Sequence, residues 1–489
     1  MWEKRSAEDA AKKPKAGEAT PLKGEPSSAA AESYGGHVGL IGATAILSTF
    51  STTSSNVMYP QTYGVLGTML GPLLGITIQG FMCVVAMLVV RIAVRLQCRT
   101  LSDLGYVLGG VWGRRILAFF QQLNNALFMP VALVFSADSL RQTVLVSSGC
   151  TTQSETGEKL SLAGVSGSCA FWDCNVNSLL IVALLAWPVL VLARDIGELT
   201  WNAFVSIMLI FVQTGALFWA VTYSRPGGND AYVMQPYALA GSATPVAWYT
   251  VASAIGTYLY SFCPLFIAVE VAASMARPDQ IATAVFASFC LNVAVYVLTG
   301  LVVVDHWGSG LPSPVTEVVV GWPAVVTNLV LFYCTFLDFA IVGSVLNREL
   351  QRVWMPSFDR QFTMRSLPTW ALLTLPSLTF ALGMSILTPR LDTLAGFLES
   401  LCVPTVMLMA VPAMLLLLRA RRDELLLDKG ASKQVTALDV ADGWSAGLAA
   451  ALALGLALLV TIFSETIYSI FYETNYDLSG NYFCDVVAT

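Results

Sequence analysis

Windows of about 20 consecutive apolar residues recur along almost the whole chain, and no other feature limits the possible folds so strongly. A hydrocarbon core of ~30 Å is crossed by a helix of about that length, and inside it every backbone N–H and C=O has to be satisfied within the protein. Such a chain folds as a bundle of membrane-spanning helices. Composition agrees: of 489 residues 56% are hydrophobic and 12% charged, with mean hydropathy +0.67, against about 25% charged residues in a soluble domain. Nothing in the charge pattern points to nucleic acid; the natural surroundings are the lipid bilayer.

Eleven spans are expected, over residues 37–66, 69–95, 112–145, 176–193, 199–223, 246–276, 280–305, 322–347, 367–387, 392–418 and 444–471. They fall into helices 1–5 at 37–223, helices 6–10 at 246–418 and helix 11 at 444–471, together one transmembrane domain at 37–472. Several exceed the crossing minimum, so tilt or internal breaks are expected. Residues 1–36, with Lys12, Lys13, Lys15, Pro14, Pro21 and Pro26 among runs of Ala, Ser and Glu, read as a disordered tail, and no signal peptide is visible.

Cytoplasmic loops retain Lys and Arg during insertion. A cytosolic N-terminus puts Arg91, Arg95, Arg99, Arg114, Arg115, Arg194, Arg277, Arg348, Arg352, Arg419, Arg421 and Arg422 on the inside and leaves few basic residues, such as Arg141 and Lys159, on the other. The tail 473–489 then lies outside the cytoplasm. The same topology collects Cys150, Cys169, Cys174 and Cys484 on the outer side, where disulfides persist, with three connectivities open. The alternative is free thiols in a reduced compartment. A plasma membrane is favoured over a vacuolar or lysosomal one.

Span one turns polar in its middle: Phe50 is followed by Ser51, Thr52, Thr53, Ser54, Ser55 and Asn56 before apolar sequence resumes at Val57. Span six, "TYLYSFCPLFIAVE", carries Ser261, Cys263 and Pro264 at mid-depth; proline removes a helical hydrogen bond and clashes with the preceding turn. Broken helices survive in lipid only where they are buried in protein or line a wet cavity. First and sixth are corresponding positions in two sets of five spans, as in inverted-repeat carriers with substrate at the midplane. Half-helix N-termini favour an anionic group and half-helix C-termini a cationic one, which suits a zwitterion. The competing reading is a tight helix interface lined by small residues with a simple proline kink.

The segment "YPQTYGVLGTMLGP" (59–72) resembles the LPYAFAQLGWLLGP motif of the amino acid/auxin permease family, sharing Pro60, Leu66, Gly67, Gly71 and Pro72. "VEVAASMARP" (269–278) is similar to the family's LEIQAT-containing end of the sixth helix, with Glu270 on its glutamate. "TLSDLGYVLGGVWGRRILAFFQQLNN" and "LVFSADSLRQTV" resemble the loop before the third helix and that helix's end. The plant proline and compatible-solute branch is the nearest in aspect. The resemblance covers nearly all the chain after residue 37. It implies an all-α, five-plus-five inverted repeat of the amino acid-polyamine-organocation type with helices 1 and 6 broken, an inside N-terminus, an amino-acid or betaine-like zwitterion as partner, and coupling to H+ or Na+ with no further cofactor. Two departures stand out: the family's Gly-Ala-Gly falls on Thr53, Ser54 and Ser55, and its sixth-helix glycine on Pro264. Hydroxyls there can replace some bare backbone donors.

Substrate contacts are therefore expected at Thr53, Ser54, Ser55 and Asn56 and at Tyr258, Ser261, Phe262, Cys263, Pro264 and Leu265, with Tyr258 and Phe262 closing over the ligand. Ionisable residues at membrane depth usually serve the permeation path. Asp338 is the leading coupling candidate, since in this architecture span eight lies against the first break. Glu270, about 9 Å past Pro264 at 1.5 Å per residue, suits an inner gate, and Glu399 suits the lining of the path. Enzyme chemistry is not indicated: HExxH, Walker and nucleophile-elbow motifs are absent. A proton-coupled symporter is the expected function, with a transport-inactive sensor and a facilitative channel as alternatives.

Overall fold

The computed structural model describes residues 36–52, 55–153, 159–161, 169, 171–172, 174–194, 196–223, 248–308, 311, 314–355, 366–387, 401–420, 422 and 432–468. Thr53, Ser54, Glu399 and Cys484, and the two tails, lie outside the described residues. In chain order the helices are α1 (Leu40–Thr52), α2 (Ser55–Leu66), α3 (Leu70–Arg95), α4 (Leu101–Ser147), α5 (Asn175–Leu192), α6 (Thr200–Tyr223), α7 (Trp248–Tyr260), α8 (Leu265–Ser274), α9 (Ile281–Trp307), α10 (Trp322–Trp354), α11 (Leu367–Leu387), α12 (Pro404–Ala420), α13 (Ser432–Val440) and α14 (Ser445–Tyr468). A small antiparallel hairpin, β1 (Thr151–Gln153) with β2 (Lys159–Ser161), separates α4 from α5.

Nine stretches among the described residues are long and apolar enough to cross a membrane. Two shorter apolar helices, α1 and α12, lie where the first and tenth expected spans fall. The outward faces of the spans carry exposed Leu184, Trp187, Met208, Phe211 and Leu298, as lipid contact requires. The chain is thus an all-α polytopic membrane protein, with a break in its sixth span among the described residues.

Two features position the interior. The helix α4 is longer than the expected span 112–145 because two helices join at Gly110, whose φ of 63° is left-handed and open to glycine at little cost. Thr100 caps the first of them, its hydroxyl accepting from the Asp103 amide at 3.2 Å. Beyond Gly110 the chain rises as the third span and packs along α10, joined by the Ser136–Thr335 hydroxyl pair at 2.8 Å.

The second feature joins the ends of the two broken spans. The segment entering α1 pairs in parallel with the segment leaving α8: Gly36 N–H donates to Met275 O (3.0 Å), Val38 N–H to Ser274 O (3.1 Å) and Ala276 N–H to Val38 O (2.9 Å). A Cβ on Gly36 would lie 2.3 Å from Ser274 O, so only glycine permits this approach.

Of the outer cysteines, Cys150 and Cys169 are joined by a disulfide and Cys174 is also disulfide-bonded. This selects one bridge among the connectivities left open by sequence. Cys83, Cys263, Cys334 and Cys402 are buried in the spans outside any disulfide, whereas Cys290 is exposed on its span rather than packed inside.

Candidate functional site

Polar residues interrupt apolar sequence at two places; in the first, Thr53 and Ser54 lie outside the described residues, and in the second the helix stops. The helix α1 ends at Thr52 and α2 restarts at Ser55. In span six α7 ends at Tyr260, residues 261–264 are non-helical, and Pro264 stands at the N-cap of α8, where its missing N–H costs nothing. Its carbonyl accepts from Ile267 (3.1 Å) and Ala268 (2.8 Å), which restarts the helix at once.

The two breaks meet through a residue of a third helix. Tyr296, wholly buried on α9, directs its hydroxyl to the Ser51 carbonyl at the end of α1 and lies 3.1 Å from the Ser261 carbonyl at the end of α7. The Thr52 and Ser55 side chains also reach that hydroxyl. One turn earlier on α9, Asn292 Oδ1 accepts from the Thr52 hydroxyl at 2.6 Å. Ser288, Asn292, Tyr296 and Thr299 form a fully buried polar stripe on an otherwise apolar helix, and their spacing of four, four and three is that of one helical face.

Around this junction Ser48 Oγ, Ser51 Oγ, Asn56 Oδ1, Ser288 Oγ, Asn292 Nδ2 and Thr299 Oγ1 are buried without a hydrogen-bond partner among the described residues. Buried polar groups are normally paired. These six atoms, on α1, α2 and α9, leave hydrogen-bonding capacity unused in the interior of the bundle.

Aromatic rings close the site on two sides. Tyr59 stacks on Tyr296 with centroids 4.2 Å apart and touches Tyr258 (5.4 Å) and Tyr63 (5.6 Å). Gln79 of α3 donates to the Tyr59 hydroxyl and, at 3.2 Å, to the Tyr258 carbonyl. On the other side Phe128 of α4 lies between Phe50 (5.3 Å) and Tyr260 (5.7 Å).

The expected site residues divide accordingly. Ser55 reaches Tyr296, whereas Asn56 turns toward α6, its Nδ2 3.4 Å from Gln213 Oε1 and from Thr214 Oγ1. Ser261 and Cys263 bond back to their own helix, at Thr257 O and Tyr260 O. Phe262 packs edge-on against Phe289 (5.6 Å), and Leu265 opens α8 inside the core. Tyr258 points its hydroxyl to Gly71 O at 2.7 Å, into the tyrosine cluster rather than into the break. Asp338 is buried on α10 within electrostatic reach of Tyr296 and Cys334. Glu270 lies deeper along α8 and pairs with Gln121 of α4 at 2.9 Å, not with a basic loop residue. Sequence reasoning passed over Tyr296 and Asn292, although the spacing of the stripe on α9 carried the signal.

Residues 43–427 match the family described as transmembrane amino acid transporter protein. The chain belongs to that family. Among solved structures it is similar to MhsT in complex with L-phenylalanine, with TM-score 0.57 and 12% identity over 89% of this chain and 100% of that one. That likeness bears on the fold alone. No curated protein matches the sequence. As a member of the transmembrane amino acid transporter family the chain is an integral multi-pass membrane protein whose class of activity is amino acid transport.

Proposed function

We propose that this transporter is a proton-driven symporter that moves an amino acid toward the cytosol across the plasma membrane, by alternating access around the two breaks. The observation that carries the reading is the meeting of both half-helix carbonyl ends, Ser51 O and Ser261 O, at one point. Helix C-termini carry partial negative charge and N-termini partial positive charge. An amino group at the ends of α1 and α7 and a carboxylate at the starts of α2 and α8 fit that polarity. The L-phenylalanine bound to MhsT belongs to the same chemical class.

Asp338 is the proposed proton carrier, since a buried carboxylate beside the junction can load from one side and unload to the other. The Lys and Arg bias of alternate loops and the disulfide between Cys150 and Cys169 support a cytosolic N-terminus.

Vesicles reconstituted with purified protein and given an imposed inward proton gradient test the reading. Labelled amino acid is expected to accumulate above its outside concentration, and Asp338→Asn is expected to retain exchange while losing accumulation. Flux without accumulation in the wild type would indicate a facilitative channel, and background signal a sensor.

A further inference from the structure

The face of α4 that carries Phe128, a wall of the site, continues through Asn124 and Gln121 at helical intervals toward the Gly110 joint. Gln121 Nε2 donates to two oxygens one turn apart on α8, Phe266 O at 2.8 Å and Glu270 Oε1 at 2.9 Å. Both neighbours of that nitrogen are acceptors, which fixes the orientation of the amide. One oxygen on each partner is left over. Gln121 Oε1 and Glu270 Oε2 are buried without a hydrogen-bond partner among the described residues, and each residue is 1% exposed. The pair is therefore one donor short.

Charge sharpens the shortage. The groups of α10 within electrostatic reach of Glu270 are Glu349 and Arg352, and these bind each other. Charged residues on the other elements packed against α8, such as Arg95 of α3, Arg114 of α4, Glu198 and Asp279, lie in terminal or short turns or by the Gly110 joint, and α1 has none. A carboxylate held at membrane depth by a neutral amide is costly. One proton answers both needs, since it removes the charge and supplies the missing donor. A hard metal cation would need about six oxygens, whereas the pair leaves over one on each side chain.

We propose that Glu270 is a second proton-binding site of the carrier, beside Asp338, and that its acid form latches α8 to α4 on the cytosolic side of the breaks. The proposal rests on the alternating-access reading. The proton sits on Glu270 Oε2 and is donated to Gln121 Oε1, so that acid and amide are joined at both ends. When α8 moves off α4, water reaches the pair, the O–H bond breaks, and the proton passes to that water while the carboxylate becomes hydrated. The latched state thus binds one proton more than the open one. Its population is greatest at low pH and falls as pH rises. A cytosol more alkaline than the outside then favours inward opening.

The test is amide hydrogen exchange of α8 in the purified full-length chain without substrate, with labelling times scaled to equal intrinsic exchange at each pH. Protection of α8 is expected to fall by about tenfold or more between about pH 5.5 and about pH 8.5, the factor of at least one hydrogen bond to a charged or acid group. The helix α5, which has no ionisable residue, is expected to stay constant. Glu270→Gln, neutral and able to donate, is expected to keep α8 protected at every pH, and Gln121→Ala to leave it weakly protected throughout. A purely structural role for Glu270 would shift the melting temperature of Glu270→Gln and leave its pH dependence as in the wild type. That result, pH-independent protection of α8 in the wild type, or an equal fall in α5 overturns the proposal. Protection that follows sodium rather than pH also overturns it. If Glu270→Gln does not fold, the wild type and Gln121→Ala decide. No substrate enters the measurement, so uptake in vesicles judges the carrier reading separately.

Discussion

Gln121 spends both protons of its amide on the second half of the broken sixth span, one on Phe266 O at 2.8 Å and one on Glu270 Oε1 at 2.9 Å. The other oxygen of Glu270 is buried without a partner among the described residues, so this amide is the main support of a carboxyl group held away from water. Removing one side of such a pair costs more than the pair contributes. Gln121→Ala is expected to destabilise the purified protein by about 2–3 kcal/mol, read as a fall in melting temperature. Glu270→Gln, which replaces the carboxyl by a neutral isostere able to donate, is expected to be close to neutral and to recover part of the loss in the double variant. An unchanged melting temperature in Gln121→Ala contradicts this. Glu270 is visible in sequence as an ionisable residue in an apolar run, but its partner is not, because the sequence QQLNN leaves open which amide faces α8. The same holds for Tyr296: tyrosine is common in apolar helices, and only its alignment with Ser288 and Asn292 distinguishes it from a packing residue.

At the scale of elements, the parallel pairing of Gly36–Val38 with Ser274–Ala276 ties the entrance of α1 to the exit of α8. Three backbone hydrogen bonds hold these two segments together. Gly36→Val would place a Cβ 2.3 Å from Ser274 O, which forces the strands apart. Amide hydrogen exchange at Val38 and Ala276 is expected to quicken by about tenfold or more, as loss of one to two hydrogen bonds implies. Unaltered protection would contradict the pairing. The break in span six was legible in the sequence because it has a physical cause written in residue type, a proline at mid-depth. The pairing was not legible, since Gly36, His37 and Val38 carry no pattern that separates a strand from a tail. The bend at Gly110 was likewise hidden, because glycine before "VWGRR" fits a helix start as well as a left-handed joint.

For the whole molecule, the apolar windows fixed the bundle in advance, since lipid leaves so few solutions for the backbone, and the family match over residues 43–427 places amino acid transport on that scaffold. What composition could not supply is the closure of the interior: the tyrosine cluster between α2, α7 and α9 and the group of Phe50, Phe128 and Tyr260 arise from contacts between helices far apart in the chain. Both walls converge on the junction of Ser51, Ser261 and Tyr296, with Ser55 in reach of the same hydroxyl. Ser55 is 1% exposed, so a large side chain there has to enter the space between the half-helices. Uptake of labelled amino acids into proton-gradient vesicles, compared for the wild type and a folded Ser55→Trp variant, is the most direct measurement. The account predicts accumulation in the wild type and background in Ser55→Trp; equal uptake by the two would contradict a substrate path through the junction of the broken helices.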